Sequence, residues 1–276
     1  MVGGSRPPRF GGPRPKGQHF LRSPAVAAEL VRGAEIDPSD TVLEIGAGWG
    51  RLTRPLAERA GRVIAVELDP RLAARLERSF EHEPKITIAG GDILRTELPV
   101  GAWRAFGNLP FGLTTPILRR LLDDPTIGPT RADLLVQFEA ARKRASIERA
   151  TLLSLTWQPW WALTLERHVS RLSFEPSPTV DAGLLVVRRR HQALLEASER
   201  PAYVTMLRRA FDRGAWPVRR SLRGIVPANA WRRLARERGF AADAPPPALD
   251  VWDWAAVFRE ARRRGMRARE SGRPRS

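Results

Sequence analysis

The feature that most restricts the fold of this chain is a regular alternation of short apolar runs with amphipathic ones, sustained from residue 41 to residue 138. Thr41–Ile45, Arg62–Glu67, Lys85–Ala89, Trp103–Gly107 and Leu134–Phe138 read as strands. Leu52–Ala60, Pro70–Phe80 and Ile117–Leu122 read as helices, with Leu72, Leu76 and Phe80 on one face of the second. Strands and helices interleaved at this spacing predict βαβ units, a mainly parallel sheet and an α/β fold. Two later strands are expected over Val169–Phe174 and Leu184–Arg188, and the short turn-forming PSPTVDAG between them favours an antiparallel pair at one end of the sheet.

After Arg190 the strand signals stop. Tyr203–Phe211, Ala230–Arg238 and Val251–Ala261 read as helices, the last two separated by APPPALD. The expected organisation is a basic arm over residues 1–16, a sheet domain over 17–190, a small helical domain over 191–261 and a basic tail over 262–276. The arm, MVGGSRPPRFGGPRPK, has no acid and almost nothing apolar. Such a segment cannot offset the entropy of ordering and is expected to be mobile.

Charge narrows the partners. Lys and Arg total 47 against 30 Asp and Glu, a formal charge of +17, which favours a polyanion. The absence of cysteine excludes disulfides, thiolate nucleophiles, Fe–S clusters and Cys-based zinc sites, and the four histidines form no H-E-x-x-H pair. No metal is therefore expected. No apolar run approaches the ~18–20 residues that span a bilayer, and the N-terminus carries no apolar stretch of a signal peptide. The expectation is a cytoplasmic, monomeric protein without membrane contact.

Gly46-Ala47-Gly48-Trp49-Gly50 falls where the first strand turns into the first helix of the alternation. Glycines there allow positive φ and close approach of a ligand to the backbone. Glu67 closes the second strand, 21 positions after Gly46, where a carboxylate can accept hydrogen bonds from both hydroxyls of a ribose. Asp92, in Gly91-Asp92-Ile93 after the third strand, is placed to receive an adenine amino group. The loop is GxGxG and lacks the GK[ST] of a P-loop, so phosphate cradling is not indicated. Glycine loop, ribose acid and adenine acid, in this order, resemble an S-adenosylmethionine-dependent methyltransferase; the resemblance implies a Rossmann-like class I sheet and S-adenosylmethionine as cofactor.

Gly107-Asn108-Leu109-Pro110-Phe111 ends the fourth strand, at the edge where open α/β sheets bind ligands. An exocyclic adenine amine is a poor nucleophile because its lone pair is delocalised into the ring. Acceptors on its two hydrogens can favour a pyramidal nitrogen. Asn108 supplies a side-chain carbonyl and Leu109 a backbone carbonyl; Pro110 stiffens the turn and Phe111 offers a face for an extruded base, a stacking contact worth about 1–3 kcal/mol.

At this point the chain resembles the ribosomal RNA adenine-N6 methyltransferases that include the Erm and KsgA/Dim proteins. The match runs from Gly17-Gln18-His19-Phe20-Leu21 through EIGAGWG, VELD, GDIL and GNLPF to FEPSPTVD, which ends at Asp181. By this resemblance His19 and Leu21 close over the cofactor, Gly46 lines it, Glu67 holds its ribose, Asp92 meets its adenine, and Asn108 lies between cofactor and target. His19 stands where Asn is commoner, and Phe111 where Tyr is frequent. The stretch Gln137-Phe138-Glu139-Ala140-Ala141-Arg142-Lys143-Arg144 looks like that of Erm proteins from antibiotic-producing actinobacteria. It implies 23S rRNA as substrate, at the peptidyl-transferase-loop adenine whose methylation blocks macrolides, lincosamides and streptogramin B. Arg142, Lys143 and Arg144 are the candidate RNA-phosphate contacts, and the helical domain over 191–261 is expected to dock the RNA. The tryptophans at 157, 160 and 161 are expected to be packing residues, at least two of the three. Competing readings are a KsgA-type enzyme acting on 16S rRNA, a DNA adenine methyltransferase, and a binder without catalysis. The second is disfavoured by Leu109 in place of proline, and the third by the intact pocket residues.

Overall fold

The computed structural model describes residues 18–214 and 216–263. The basic arm expected over 1–16 lies outside them, as does most of the expected tail; Arg262 and Arg263 form the last turn of the final helix.

In chain order the elements are β1 (Phe20–Leu21), α1 (Pro24–Gly33), β2 (Thr41–Ile45), α2 (Thr53–Ala57), β3 (Arg62–Glu67), α3 (Pro70–Ser79), β4 (Ile86–Gly90), β5 (Arg104–Asn108), α4 (Thr114–Leu122), β6 (Arg131–Gln137), α5 (Phe138–Ala145) and α6 (Leu152–Leu155). Then come β7 (Trp161–Val169), β8 (Phe174–Glu175), β9 (Ala182–Arg189), α7 (Arg200–Phe211), α8 (Val218–Ser221), α9 (Ala228–Arg238) and α10 (Val251–Arg263). The main sheet has the order β4-β3-β2-β5-β6-β9-β7. Its first five strands are parallel, and β9 runs antiparallel to both β6 and β7. The chain winds outward from β2 to β4, then returns to place β5 on the other side of β2. That reversal opens a crevice at the carboxyl ends of β2 and β5.

Local chemistry sets the helix starts. The Ser23 hydroxyl accepts the Ala25 N–H and Pro24 opens α1; the Asp69 carboxylate accepts the Arg71 N–H and Pro70 opens α3. The central strands are buried on both faces, as parallel strands under two helical layers must be.

At the amino ends of β5 and β6 two arginines tie the sheet to α1. The Arg104 guanidinium donates to the Asp40 carboxylate (2.7 Å), to the Glu35 carbonyl (2.8 Å) and to the Ala34 carbonyl. Arg131 donates to both Asp133 oxygens (2.9 and 2.8 Å), to the Glu35 carboxylate (2.7 Å) and to the Gly33 carbonyl. Burial lifts the Asp133 carboxyl above the ordinary aspartate value against the pull of Arg131.

Three expectations shift. The strand placed at Val169–Phe174 is in fact β7, ending at Val169; a 3-10 turn at Arg171–Ser173 follows, and Phe174 pairs with Leu21 in a separate ribbon. A register shift between Leu165 and Arg167 breaks the alternation that would have marked β7. The strand expected from Leu134 begins at Arg131, because Arg131 and Asp133 neutralise each other inside it. Phe138 opens α5 instead of closing the strand.

Trp157, Trp160 and Trp161 are all buried. Their indole N–H groups donate to Asp123, the Leu195 carbonyl and the Pro129 carbonyl. Tyr203 of α7 meets Trp160 and Phe258 edge-on at 6.2 and 5.5 Å, so the helices after residue 190 share one continuous core with the sheet. Among the described residues, no helix is long and apolar enough to cross a membrane.

Candidate active site

The crevice is a cleft at the carboxyl ends of β2, β3 and β5. Its lining includes His19, Gly46, Glu67, Asp92, Asn108, Leu109 and Pro110, which brings together seven of the site residues singled out from the sequence.

The glycine loop folds back on β3: the Gly46 and Ala47 N–H groups both donate to the Val66 carbonyl, at 2.9 and 3.1 Å. Gly46, Gly48 and Gly50 have φ of +74°, +57° and +75°, which L side chains rarely adopt. At Gly48 a Cβ would also stand 2.7 Å from the Phe20 ring. Glu67 is buried, and its two carboxylate oxygens accept the Gly48 N–H (2.7 Å) and the Asp69 N–H (2.9 Å). Each oxygen keeps a second lone pair, so the group is held rigidly and can still receive two hydroxyls. Asp92 accepts the Leu94 N–H on one oxygen at 2.9 Å and faces the cleft.

Asn108, the last residue of β5, is oriented by the strap that precedes α1. Its side-chain amide N–H donates to the His19 carbonyl at 2.5 Å. A carbonyl can only accept, so the NH₂ end of Asn108 is committed and its Oδ1 is left as an acceptor. The His19 ring in turn donates from Nδ1 to the Pro176 carbonyl at 2.8 Å. One line of hydrogen bonds thus joins the strap, the end of β5 and the segment before β9. The Leu109 N–H donates to the Leu135 carbonyl (3.0 Å) and the Leu113 N–H to the Pro110 carbonyl (2.8 Å), which fixes the turn after Asn108.

Several predicted residues sit elsewhere. Leu21 is buried in the core on the side of α1 and is outside the cleft lining. Phe111 is half-buried against that core, with its ring 5.8 Å from His19, while Leu113 provides the apolar cleft wall. The basic triplet lies on α5 and divides. Arg142 is exposed but paired with Glu139 at 2.6 Å, Lys143 is exposed, and Arg144 turns inward to donate to the Thr151 hydroxyl. Burial lowers the Arg144 pKa. Lys143 is thus the member of the triplet that is exposed and, among the described residues, bound to no acid.

Glu44, the last residue but one of β2, escaped the sequence reading. It is fully buried, and neither of its oxygens nor the Thr53 hydroxyl beside them makes a well-formed hydrogen bond. Burial pushes its carboxyl up to about 8; Thr53 pulls against the shift and the negative Glu67 adds to it. The signal was an acid inside an otherwise apolar strand. Phe20 was also missed as a wall of the cleft, because its role depends on the strap crossing the glycine loop.

The donor set fits an adenosyl group: bare backbone at Gly46, two free lone pairs on a fixed Glu67, and an open oxygen on Asp92. Among the described residues, no group of three or more His, Cys, Asp or Glu could hold a metal ion.

The comparisons agree with this chemistry. A family model described as ribosomal RNA adenine dimethylase matches residues 14–261. The chain is 36% identical over 269 residues to the mycinamicin-resistance protein MyrB of Micromonospora griseorubida, covering 96% of this chain and 84% of that one. It is 34% identical over 251 residues to ribosomal RNA small subunit methyltransferase A of Thermosynechococcus vestitus, covering 87% and 93%. Among solved structures, the 23S rRNA methyltransferase ErmE superposes with a TM-score of 0.79 at 31% identity, covering 88% of this chain and 99% of ErmE. With a family model reaching from the strap to the last helix, this chain belongs to the ribosomal RNA adenine dimethylases, whose methyl donor is S-adenosylmethionine.

Proposed function

We propose that this protein methylates the N6 of the peptidyl-transferase-loop adenine of 23S rRNA and so confers resistance to macrolides, lincosamides and streptogramin B. The observation that carries the chemistry is the committed amide of Asn108, which leaves a carbonyl acceptor at the mouth of the adenosyl cleft. When bound, S-adenosylmethionine supplies an electrophilic methyl group. Gly46, Glu67 and Asp92 hold it, with Glu67 on the ribose and Asp92 on the adenine. Asn108 Oδ1 and the Leu109 carbonyl accept the two N6 hydrogens of the target, drawing its lone pair out of ring conjugation and aiming it into the cleft. No side chain needs to remove a proton beforehand, since the methylated nitrogen is acidic and releases its proton to water. Positioning then supplies most of the acceleration.

The choice of 23S rRNA draws support from the resistance protein and the ErmE structure among the similar proteins. A small-subunit target has its own support in the comparable identity to the Thermosynechococcus small-subunit methyltransferase. Transfer of labelled methyl to naked 23S rRNA and, separately, to 30S particles decides between them, with the base mapped by primer extension. A stop at the peptidyl-transferase-loop adenine is expected. Methylation of 30S particles alone would overturn the 23S assignment.

A further inference from the structure

Trp49, the bulky residue of the glycine loop, lies outside the cleft lining. Its ring is held from two sides. The Arg75 guanidinium of α3 lies over it, 4.4 Å from the ring centroid, and the Phe20 ring of the strap meets it edge-on at 6.0 Å and 71°. Arg75 Nη1 is buried without a hydrogen-bond partner among the described residues. Buried polar groups normally find an acceptor. Here the negative face of the indole takes that place, and a cation so placed is held more firmly where water is excluded.

The stack reaches the reacting end of the site through the strap. Phe20 sits so close to the glycine loop that a Cβ on Gly48 would stand 2.7 Å from its ring, and the Gly48 N–H is fixed by Glu67 at 2.7 Å. The residue before Phe20 is His19, whose carbonyl accepts the Asn108 amide. The residues after it are anchored separately: Leu21 pairs with Phe174, and the Arg22 N–H donates to the Ser173 carbonyl at 2.7 Å. Phe20 therefore stands between the anchored end of the strap and the carbonyl that orients Asn108. If its ring leaves its seat, that carbonyl moves with it, and Asn108 loses the bond that decides which end of its amide faces the target.

We infer that Arg75 and Trp49 are positioning residues for methyl transfer: the stack Arg75–Trp49–Phe20 seats the strap so that the His19 carbonyl keeps the Asn108 amide committed and its Oδ1 open to the target amine. The inference rests on the reading of Asn108 as an acceptor for that amine, and it deepens it by naming what holds the acceptor in register from outside the cleft.

The test uses the full-length protein and two readouts. One is hydrogen exchange of residues 18–22; the other is single-turnover methyl transfer to rRNA at saturating S-adenosylmethionine, in the native and N108A backgrounds. R75M keeps the stem of the side chain and removes the cation, W49L removes the aromatic face, and W49F restores it. R78M makes the R75M change at an exposed arginine three residues along α3. R75M and W49L should each speed exchange in the strap and slow transfer by about two- to thirtyfold, the range for a cation held over an aromatic face. W49F should return both readouts to near the native values, and R78M should stay within about twofold of them. In the N108A background R75M should slow transfer no further, because the residue it acts through is gone. Unchanged strap exchange in R75M, an equal fall in transfer in both backgrounds, or exchange accelerated along the whole sheet would overturn the inference. Failure of the native protein to methylate rRNA would overturn the functional reading, and the exchange series would still decide whether the stack seats the strap.

Discussion

The two edges of the main sheet handle polar groups in opposite ways. β5 and β6 each carry one edge at either end: Arg104 and Arg131 at the amino ends, Asn108 and Gln137 at the carboxyl ends. At the amino edge the buried guanidiniums meet carboxylates and carbonyls within 3.2 Å, and both oxygens of the buried Asp133 are taken. At the carboxyl edge, fixed groups keep unused capacity. Glu67 and Asp92 spend lone pairs on loop N–H groups and retain others, and Asn108 commits its amide and keeps its carbonyl. Full pairing makes a clamp, and partial pairing makes a site. The capacity left open at one edge is tolerable because the other edge holds the strands in place.

The sharpest way to break this contrast is to unpair the clamp. In Arg131→Ala the Asp133 carboxyl stays buried without its partner. Removing one member of a buried pair costs about 3–5 kcal/mol. Urea unfolding at neutral pH should register that loss, while methyl transfer measured in the cold at saturating substrates stays near the native rate. A variant as stable as the parent would mean that the amino edge is ornament.

The opposite edge should respond in the opposite currency. Asn108→Ala removes an acceptor aimed at the reacting amine. By analogy with loss of one transition-state hydrogen-bonding group, methyl transfer should fall about 10²–10³-fold. Stability should fall by only about 0.5–1.5 kcal/mol, for the lost bond to the His19 carbonyl, and rRNA affinity should hardly change, because the side chain is half-buried at the cleft. Equal losses in rRNA binding and in rate would remove Asn108 from the chemistry.

The same contrast explains what the sequence made legible. β2 and β3 fall on the residues expected, since fully buried apolar strands announce themselves, and the glycines and acids that follow them are spaced by the fold itself. Residues whose roles depend on partners far along the chain were harder to read. Arg131 and Asp133 look unlike a strand until Glu35 and Gly33 are brought beside them. Arg144 resembles a phosphate contact until Thr151 turns it inward. Leu21 was assigned to the cleft, yet its pairing with Phe174, 153 positions later, commits it to the core. α1 was missed, although Ser23 and Pro24 carried its start signal. Periodicity reports what one element does, and it is silent on which distant residue neutralises a charge.

The finest test lies in Glu44, which sits one residue inside the carboxyl end of β2 and belongs by chemistry to neither edge. Its carboxyl is buried like that of Asp133, but no arginine meets it, and burial pushes its pKa up to about 8 from an ordinary 4.5. Below the ordinary value the folded and unfolded chains both hold the proton, and Glu44 makes no pH-dependent difference. Between about 4.5 and 8 the unfolded chain releases the proton while the folded protein keeps it, so stability falls as pH rises, by at most about 1.4 kcal/mol per unit. Above 8 the folded form ionises too and the loss levels off. Glu44→Gln is uncharged in both states and of similar shape, so it should unfold at progressively higher urea than the native protein as pH is raised from 5 to 8, with the two converging toward pH 4.5. Parallel curves across that window would mean that the carboxyl is neutralised by something other than burial, and the distinction between a paired edge and an open one would no longer extend into the core of the sheet.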